Sequence, residues 1–118
     1  MKKQNYLNHP IKHIDIKSFN ACPIIDSMRD MSFSSRETAI AADIFNRMIK
    51  EKETTIILTL SGSTSAGGCM QIYIDLVKNN MVDVIVATGA SIVDMDFFEA
   101  LGFKHYKGKN WINDKETD

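Results

Sequence analysis

A hydrophobic pattern with helical spacing runs through residues 35–51 and predicts a helix with one apolar face. Just before it, Ser34 and Glu37 have the spacing of a capping box, in which each side chain satisfies a backbone amide at a helix start. The chain is irregular up to about Phe19, and a short helix is expected from Cys22 to Met31. The apolar positions of the long helix are Ile40, Ile44, Phe45, Met48 and Ile49.

Two β-branched runs, at residues 54–60 and 82–87, have apolar residues on both parities, which is the pattern of strands buried on both faces. A helix is predicted between them. A further helix is predicted after the second strand, closed by Gly102 as a left-handed cap. The apolar positions of these helices are Met70, Tyr73, Ile74, Val77 and Met81, then Val93, Phe97, Ala100 and Leu101.

Two loops of small residues, 61–68 and 88–91, follow the two predicted strands. Parallel strands joined by a crossover helix place their carboxyl ends on one sheet edge, where open α/β sheets bind ligands. Glycine and hydroxyl residues there allow backbone amides to approach a pyrophosphate. The glycines at 62, 67 and 68 match neither G-x-G-x-x-G nor a P-loop. On spacing alone, a dinucleotide site and a plain strand-to-helix turn therefore both stay open.

Composition narrows the function classes. The chain has 118 residues, 44% of them hydrophobic and 25% charged, so one globular domain is expected. A net charge of -1 gives no field that would attract nucleic acid or an anionic membrane. The start does not read as a signal peptide, and no apolar run approaches the roughly 20 residues of a membrane span, so a cytoplasmic protein is expected. Cys22 and Cys69 are too few for a disulfide framework or a zinc site.

Four stretches of the chain carry a family resemblance: TLSGSTSAGG at 59–68, LVKNNMVDV at 76–84, ATGAS at 87–91 and ALGFKHY at 100–106. With them, residues 55–108 resemble deoxyhypusine synthase and its bacterial relatives, including homospermidine-forming ones. The fourth stretch is closer to the bacterial branch. The approach at residues 6–11 looks like the start of bacterial members, so a natural N-terminus is expected.

The resemblance implies an α/β fold with a Rossmann-like parallel sheet and flanking helices, here truncated. It also implies NAD-dependent transfer of the aminobutyl group of spermidine to a lysine of a translation factor, which becomes hypusine, or to a polyamine. Expected domains are an N-terminal extension with a short helix (1–33), a partial NAD-binding domain (34–108) and a polar tail (109–118). The positions that match NAD-contacting residues are Ser63, Thr64 and Ser65 in the first loop, and Thr88, Gly89, Ala90 and Asp94 at the second.

Two features depart from the family pattern. Asp94 stands where the eukaryotic enzymes have the second of two glutamates near NAD and the polyamine, but Val93 replaces the first, which puts polyamine contact there in doubt. Family members are also several-fold longer, and their reactive lysine lies beyond the end of this chain. No catalytic residue is therefore predicted. The lysines in the polar tail, which lack the desolvated surroundings that imine chemistry needs, are Lys104, Lys107, Lys109 and Lys115.

Three functions stay open. The first is an incomplete NAD-dependent aminobutyltransferase that works as an oligomer. The second is a non-catalytic subunit or remnant that associates with a full-length relative. The third is a small-molecule-binding α/β domain unrelated to polyamines.

The remaining polar residues have structural interpretations. His9, His13 and His105 have no metal-ligand spacing and are expected to be surface or structural residues. Asp96 and Glu99 are expected to favour the dipole of a helix start. Asp83 is expected to anchor a neighbouring loop, the methionines fill the core, and Trp111 packs onto the domain or another subunit.

Overall fold

A computed structural model describes residues 7–108 of the chain. The polar tail at 109–118, with Lys109, Trp111 and Lys115, lies outside the described residues, as do residues 1–6. The helices are α1 (Cys22–Met28), α2 (Phe33–Lys50), α3 (Met70–Lys78), α4 (Gly89–Ser91) and α5 (Phe98–Ala100), and the strands are β1 (Ile57–Leu60) and β2 (Val84–Ala87). A 3₁₀ turn occupies Ile16–Ser18, and π-helical turns occupy Ser65–Cys69 and Ile92–Phe97.

Strands β1 and β2 pair in a two-stranded parallel sheet, with α3 between them in sequence. The predicted strand, helix, strand order and the α/β class are therefore confirmed. Within residues 7–108 the sheet has these two strands, so a full Rossmann-like sheet is not formed by the described part of the chain. No helix in that part combines the length and apolarity needed to cross a membrane.

Contacts divide the chain into two compact units. The first, called the turn unit, contains residues 7–14, 59–73 and 87–108. The second, called the helical unit, contains residues 15–58 and 74–86. Both small-residue loops belong to the turn unit, so the candidate site can be described within it.

The helical unit is built around α2, whose start differs from the prediction. The helix begins at Phe33 with Ser32 as its N-cap residue, and no side chain caps it. The predicted capping box of Ser34 and Glu37 is therefore wrong. Ser34 already lies in the first turn, where its carbonyl oxygen accepts a hydrogen bond from Thr38 Oγ1 at 2.7 Å.

Two carboxylates fix the position of the chain in the helical unit. Asp75 of α3 is buried, and its Oδ1 accepts a hydrogen bond of 2.6 Å from Lys17 Nζ, which raises the pKa of that amine. Asp83 Oδ2 accepts a hydrogen bond of 2.7 Å from the backbone N–H of Ile56, just before β1. The predicted anchoring role of Asp83 is confirmed, although the residue precedes β2 rather than interrupting it.

The strands are not buried on both faces, contrary to the prediction. Alternate residues of β1 and β2 are exposed, with 56% exposure for Ile57, 43% for Val84 and 55% for Val86. The apolar composition anticipates cover on both sides of the sheet, which is normal for parallel strands. Within residues 7–108 these side chains stay about half exposed. The described part of the chain therefore does not bury both faces of the sheet.

Left-handed residues end two of the helices. After α3, Asn80 has φ +52° and Met81 N donates to Leu76 O at 2.9 Å, so Met81 follows the helix instead of extending it. After α5, Gly102 has φ +94° and Phe103 N donates to Phe98 O at 3.1 Å. This is the bonding pattern of a Schellman motif. The predicted cap at Gly102 is confirmed.

Candidate functional site

The two small-residue loops are joined directly at the carbonyl oxygen of Gly62. This oxygen accepts a hydrogen bond from Thr88 Oγ1 at 3.3 Å and a second from Ser91 Oγ. Gly62 follows β1, and Thr88 and Ser91 follow β2. The predicted convergence of the two loops on one edge of the sheet is therefore confirmed, because two side chains of the second loop donate hydrogen bonds directly to the backbone of the first.

The first loop forms a wide π-helical turn at Ser65–Cys69 that leads into α3. Ser63 and Thr64 are exposed, and Thr64 Oγ1 accepts a hydrogen bond of 2.8 Å from the Tyr73 hydroxyl. Ser65 is fully buried, and its hydroxyl has no hydrogen-bond partner in the part of the chain that the structure describes. Of the three residues predicted in this loop, two therefore present a hydroxyl to solvent and one points inward.

Gly68 gives this turn its shape. Its φ of +102° lies in a region that side-chain-bearing residues rarely adopt. A Cβ atom at this position would lie 3.3 Å from the carbonyl oxygen of Lys12. The Gly68 carbonyl oxygen also accepts a hydrogen bond of 2.9 Å from Ile14 N. The N-terminal segment therefore lies directly against the turn, and glycine is what permits this approach.

The second loop continues into a helical segment. Thr88 is its N-cap residue and is exposed, Gly89 is exposed, and Ala90 is half-buried. Asp94 lies in the following π-helical turn with its side chain exposed. Ser91 is fully buried through its bond to Gly62. It was not among the predicted site residues, although it belongs to the ATGAS stretch, because sequence alone does not show which hydroxyl turns inward to hold the loops together.

The exposed side of the two loops is open to a ligand. Apart from chain neighbours and the local helix backbone, none of the described residues comes within 4 Å of the position that a Cβ would take on Gly67 or Gly89, so the backbone is open on that side. The hydroxyls of Ser63 and Thr64 are on exposed residues of the same unit. Hydroxyls and accessible backbone near the start of a helix suit the phosphate and ribose groups of a nucleotide. The residues present thus fit a dinucleotide chemically.

Glu99, His13 and His105 form a second polar cluster in the turn unit, which the sequence does not predict. Glu99 Oε2 accepts a hydrogen bond of 2.7 Å from His13 Nε2, and Glu99 Oε1 accepts one of 2.7 Å from His105 Nδ1. The Glu99 side chain is 15% exposed. Glu99 lies in the first turn of α5, as expected, and both of its carboxylate oxygens also accept hydrogen bonds from histidines. The structural interpretation of His13 and His105 is confirmed.

These contacts set the ionisation of Glu99. Partial burial alone would raise the pKa of the carboxyl group, but the hydrogen bonds from His105 and His13 outweigh it, so the pKa lies below its ordinary value. Among residues 7–108, no group of three or more histidine, cysteine, aspartate or glutamate side chains is arranged to hold a metal ion. The cluster is therefore a carboxylate held between two imidazoles.

A parallel strand pair with small-residue loops joined at its carboxyl edge defines an α/β protein, and this is the edge at which open α/β sheets bind ligands. The family model described as deoxyhypusine synthase matches residues 23–118. The chain belongs to the deoxyhypusine synthase family. This confirms the resemblance seen in the four sequence stretches.

Relatives from bacteria and archaea extend the match. A deoxyhypusine synthase-like protein of Coxiella burnetii is 61% identical over 114 residues, which cover 97% of this chain and 32% of the relative. One of Caulobacter vibrioides is 61% identical over 113 residues, covering 96% and 31%. "Probable deoxyhypusine synthase 2" of Methanosarcina acetivorans is 35% identical over 111 residues, covering 94% and 32%.

This chain therefore spans about a third of the length of the curated relatives that it matches. No solved structure is significantly similar to it.

Proposed function

We propose that this chain supplies the NAD-binding loops of a deoxyhypusine synthase-like aminobutyltransferase and is incomplete as an enzyme on its own. The observation that carries the proposal is the joining of the 61–68 and 88–91 loops at the Gly62 carbonyl in a member of this family. In the family reaction, NAD accepts the hydride when spermidine is oxidised. The aminobutyl group then passes to a protein lysine or to a polyamine.

In this proposal the residues of the loops have different tasks. The hydroxyls and backbone of the exposed positions contact NAD, and Asp94 lies beside it at an exposed position near the polyamine. Ser65 belongs to the site by sequence position, and in the present conformation its side chain is buried. The exposed positions proposed to contact NAD are Ser63, Thr64, Thr88 and Gly89, with the half-buried Ala90 beside them.

The chemical step needs an amine that these residues do not provide. Lys104 and Lys107 are exposed, so neither has the desolvated surroundings that favour imine formation near neutral pH. We assign the lysine that carries the aminobutyl group to the remaining two thirds of a relative-length polypeptide, or to a partner chain. The chain described here would bind and orient the dinucleotide.

The test is isothermal titration of NAD into the chain and into a Gly89→Val variant. Apart from chain neighbours and the local helix backbone, a Cβ on Gly89 meets none of the described residues within 4 Å, so valine adds bulk on the open side of the loop. We expect the chain to bind NAD and the variant to bind at least about tenfold more weakly, a difference of about 1.4 kcal/mol. Gly108→Val, where a Cβ would likewise meet none of the described residues beyond its chain neighbours within 4 Å, is the matched control and should bind as the parent does.

The titration is repeated with a polypeptide matching the rest of the Coxiella burnetii relative. Absence of NAD binding both alone and with that polypeptide would remove the proposal.

A second candidate function is association with a full-length relative as a non-catalytic subunit. The exposed apolar positions of the sheet, Ile57, Val84 and Val86, favour it. Parallel strands are normally covered on both faces, and their exposure in a two-stranded sheet invites pairing with another chain. The length of the relatives shows that family members carry additional sequence of about twice this chain's size.

Size-exclusion chromatography of the chain mixed with a full-length relative tests this role. We expect co-elution, lost in Val86→Lys because a charge would be buried in the contact. Val77→Lys on α3, at a valine of similar exposure (52%, against 55% for Val86), is the control and should still co-elute. A monomer that elutes apart from the relative would argue against association.

A further inference from the structure

Residues 9–14, called the strap here, contact both the segment that follows α5 and the first small-residue loop. Ile11 N donates to His105 O at 2.8 Å, and Lys107 N donates to His9 O at 2.9 Å. These bonds flank an antiparallel bridge between Pro10 and Tyr106. One part of the strap is therefore held by the backbone that follows α5.

The other part of the strap lies on the first loop. Ile14 N donates to Gly68 O, and Lys12 O is the atom that a Cβ on Gly68 would approach. Ile11 Cγ2 would lie 3.9 Å from the same Cβ. The strap therefore contacts the turn at Gly68, whose φ is positive. A displacement of the strap would change the contacts of Gly68.

Glu99 fixes the strap through side chains. One of its oxygens is bonded to His13, which belongs to the strap, and the other to His105, whose carbonyl oxygen is bonded to the strap. A cavity of about 460 Å³ is bordered by strap residues 10–13 and by Glu99, Phe103 and His105. The strap is therefore held by backbone hydrogen bonds at residues 9, 11 and 14 and by the side-chain link from His13 to Glu99.

We infer that Glu99, His13 and His105 are positioning residues for the Ser65–Cys69 turn, acting through the strap. The sequence of contacts runs from Glu99 to His13, along the backbone to Ile14, and from Ile14 to Gly68. The inference rests on the proposed function in one respect, that the positioned turn binds NAD. The coupling between the cluster and the turn can be measured whether or not NAD binds.

Amide hydrogen exchange of the full chain, followed by NMR, tests the coupling. In Glu99→Gln we expect the Ile14 and Ile11 amides to exchange on the order of tenfold faster, while amides of α2 are unchanged. Glu37→Gln, an exposed glutamate of α2 in the helical unit, is the matched control and should leave the strap amides as they are. Unchanged Ile14 exchange in Glu99→Gln would overturn the inference.

Two variants of His13 separate positioning from general loss of structure. Glutamine can place an N–H donor near the position of Nε2, so His13→Gln should keep slow Ile14 exchange, whereas His13→Leu should lose it. Where NAD binds the parent chain, its affinity should fall on the order of tenfold in Glu99→Gln and in His13→Leu, and recover in His13→Gln.

The outcomes distinguish this inference from the proposed function. Strap amides that loosen in Glu99→Gln, in a chain that binds no NAD, would support the positioning role and count against the proposed function. A uniform rise in exchange across the helical and turn units, or equal effects of the two His13 variants, would show a general structural role and overturn the inference.

Discussion

Replacement of Gly68 by alanine is expected to lower the free energy of unfolding by about 2–3 kcal/mol. Two effects add. A residue with a Cβ is strained at a φ of +102°, and the new methyl group would lie 3.3 Å from the carbonyl oxygen of Lys12. That neighbour is backbone, so it cannot rotate away as a side chain would. Relief requires the strap to move, which weakens the bond between Ile14 N and Gly68 O.

Urea unfolding followed by circular dichroism measures the loss, and Gly67→Ala is the control one residue away. Gly67 has no left-handed φ, and no atom lies within 4 Å of its Cβ position, so alanine there should change stability by less than about 1 kcal/mol. Equal stabilities of the two variants would contradict the prediction. Equal stabilities would mean that the Lys12 carbonyl oxygen does not lie close to Gly68 in solution.

The order of elements and the helix caps were accessible from the sequence because they are local. The apolar spacing of residues 35–51 identified α2, and the position of Gly102 identified the end of α5. The start of α2 was missed because two serines, Ser32 and Ser34, can both serve as caps. In the structure Ser32 is the N-cap residue, and Phe33, the first residue of α2, has φ +56°.

The convergence of the two loops was predictable from topology, because parallel strands place their carboxyl ends together. Topology does not predict which side chains of the loops face outward. Ser65 and Ser91 turn inward while Ser63 and Thr88 stay exposed, and residue type does not distinguish the two pairs. The Glu99 cluster was missed for a related reason. His13 and Glu99 are 86 residues apart, and no local pattern links them.

The exposed face of the sheet is a case in which the sequence predicts a burial that the described residues do not show. The runs at 54–60 and 82–87 were interpreted as doubly buried, and the composition indeed favours burial. Within residues 7–108, Ile57 and Val86 are instead about half exposed. A strand pattern reports a preference for burial and does not identify the residues that would supply the cover.

Acidification is expected to remove the stabilisation that Glu99 provides. Its carboxyl pKa is lower in the folded chain than in the unfolded chain, where it is about 4.3. The contribution is therefore complete above about pH 4.3 and disappears as the pH falls through the folded pKa, because the unfolded state takes up the proton first. Between pH 5.5 and 7, the chain should exceed Glu99→Gln in unfolding free energy by about 1.5–3 kcal/mol, the range for hydrogen bonds to a charged group.

Urea titrations of both proteins at pH intervals from about 7 to 3 measure this difference directly. Glu37→Gln on α2 serves as the matched control, and its difference from the parent should stay small at every pH. A parent advantage over Glu99→Gln that persists unchanged to pH 3 would mean that the histidines do not hold an ionised carboxylate. The strap would then need another support.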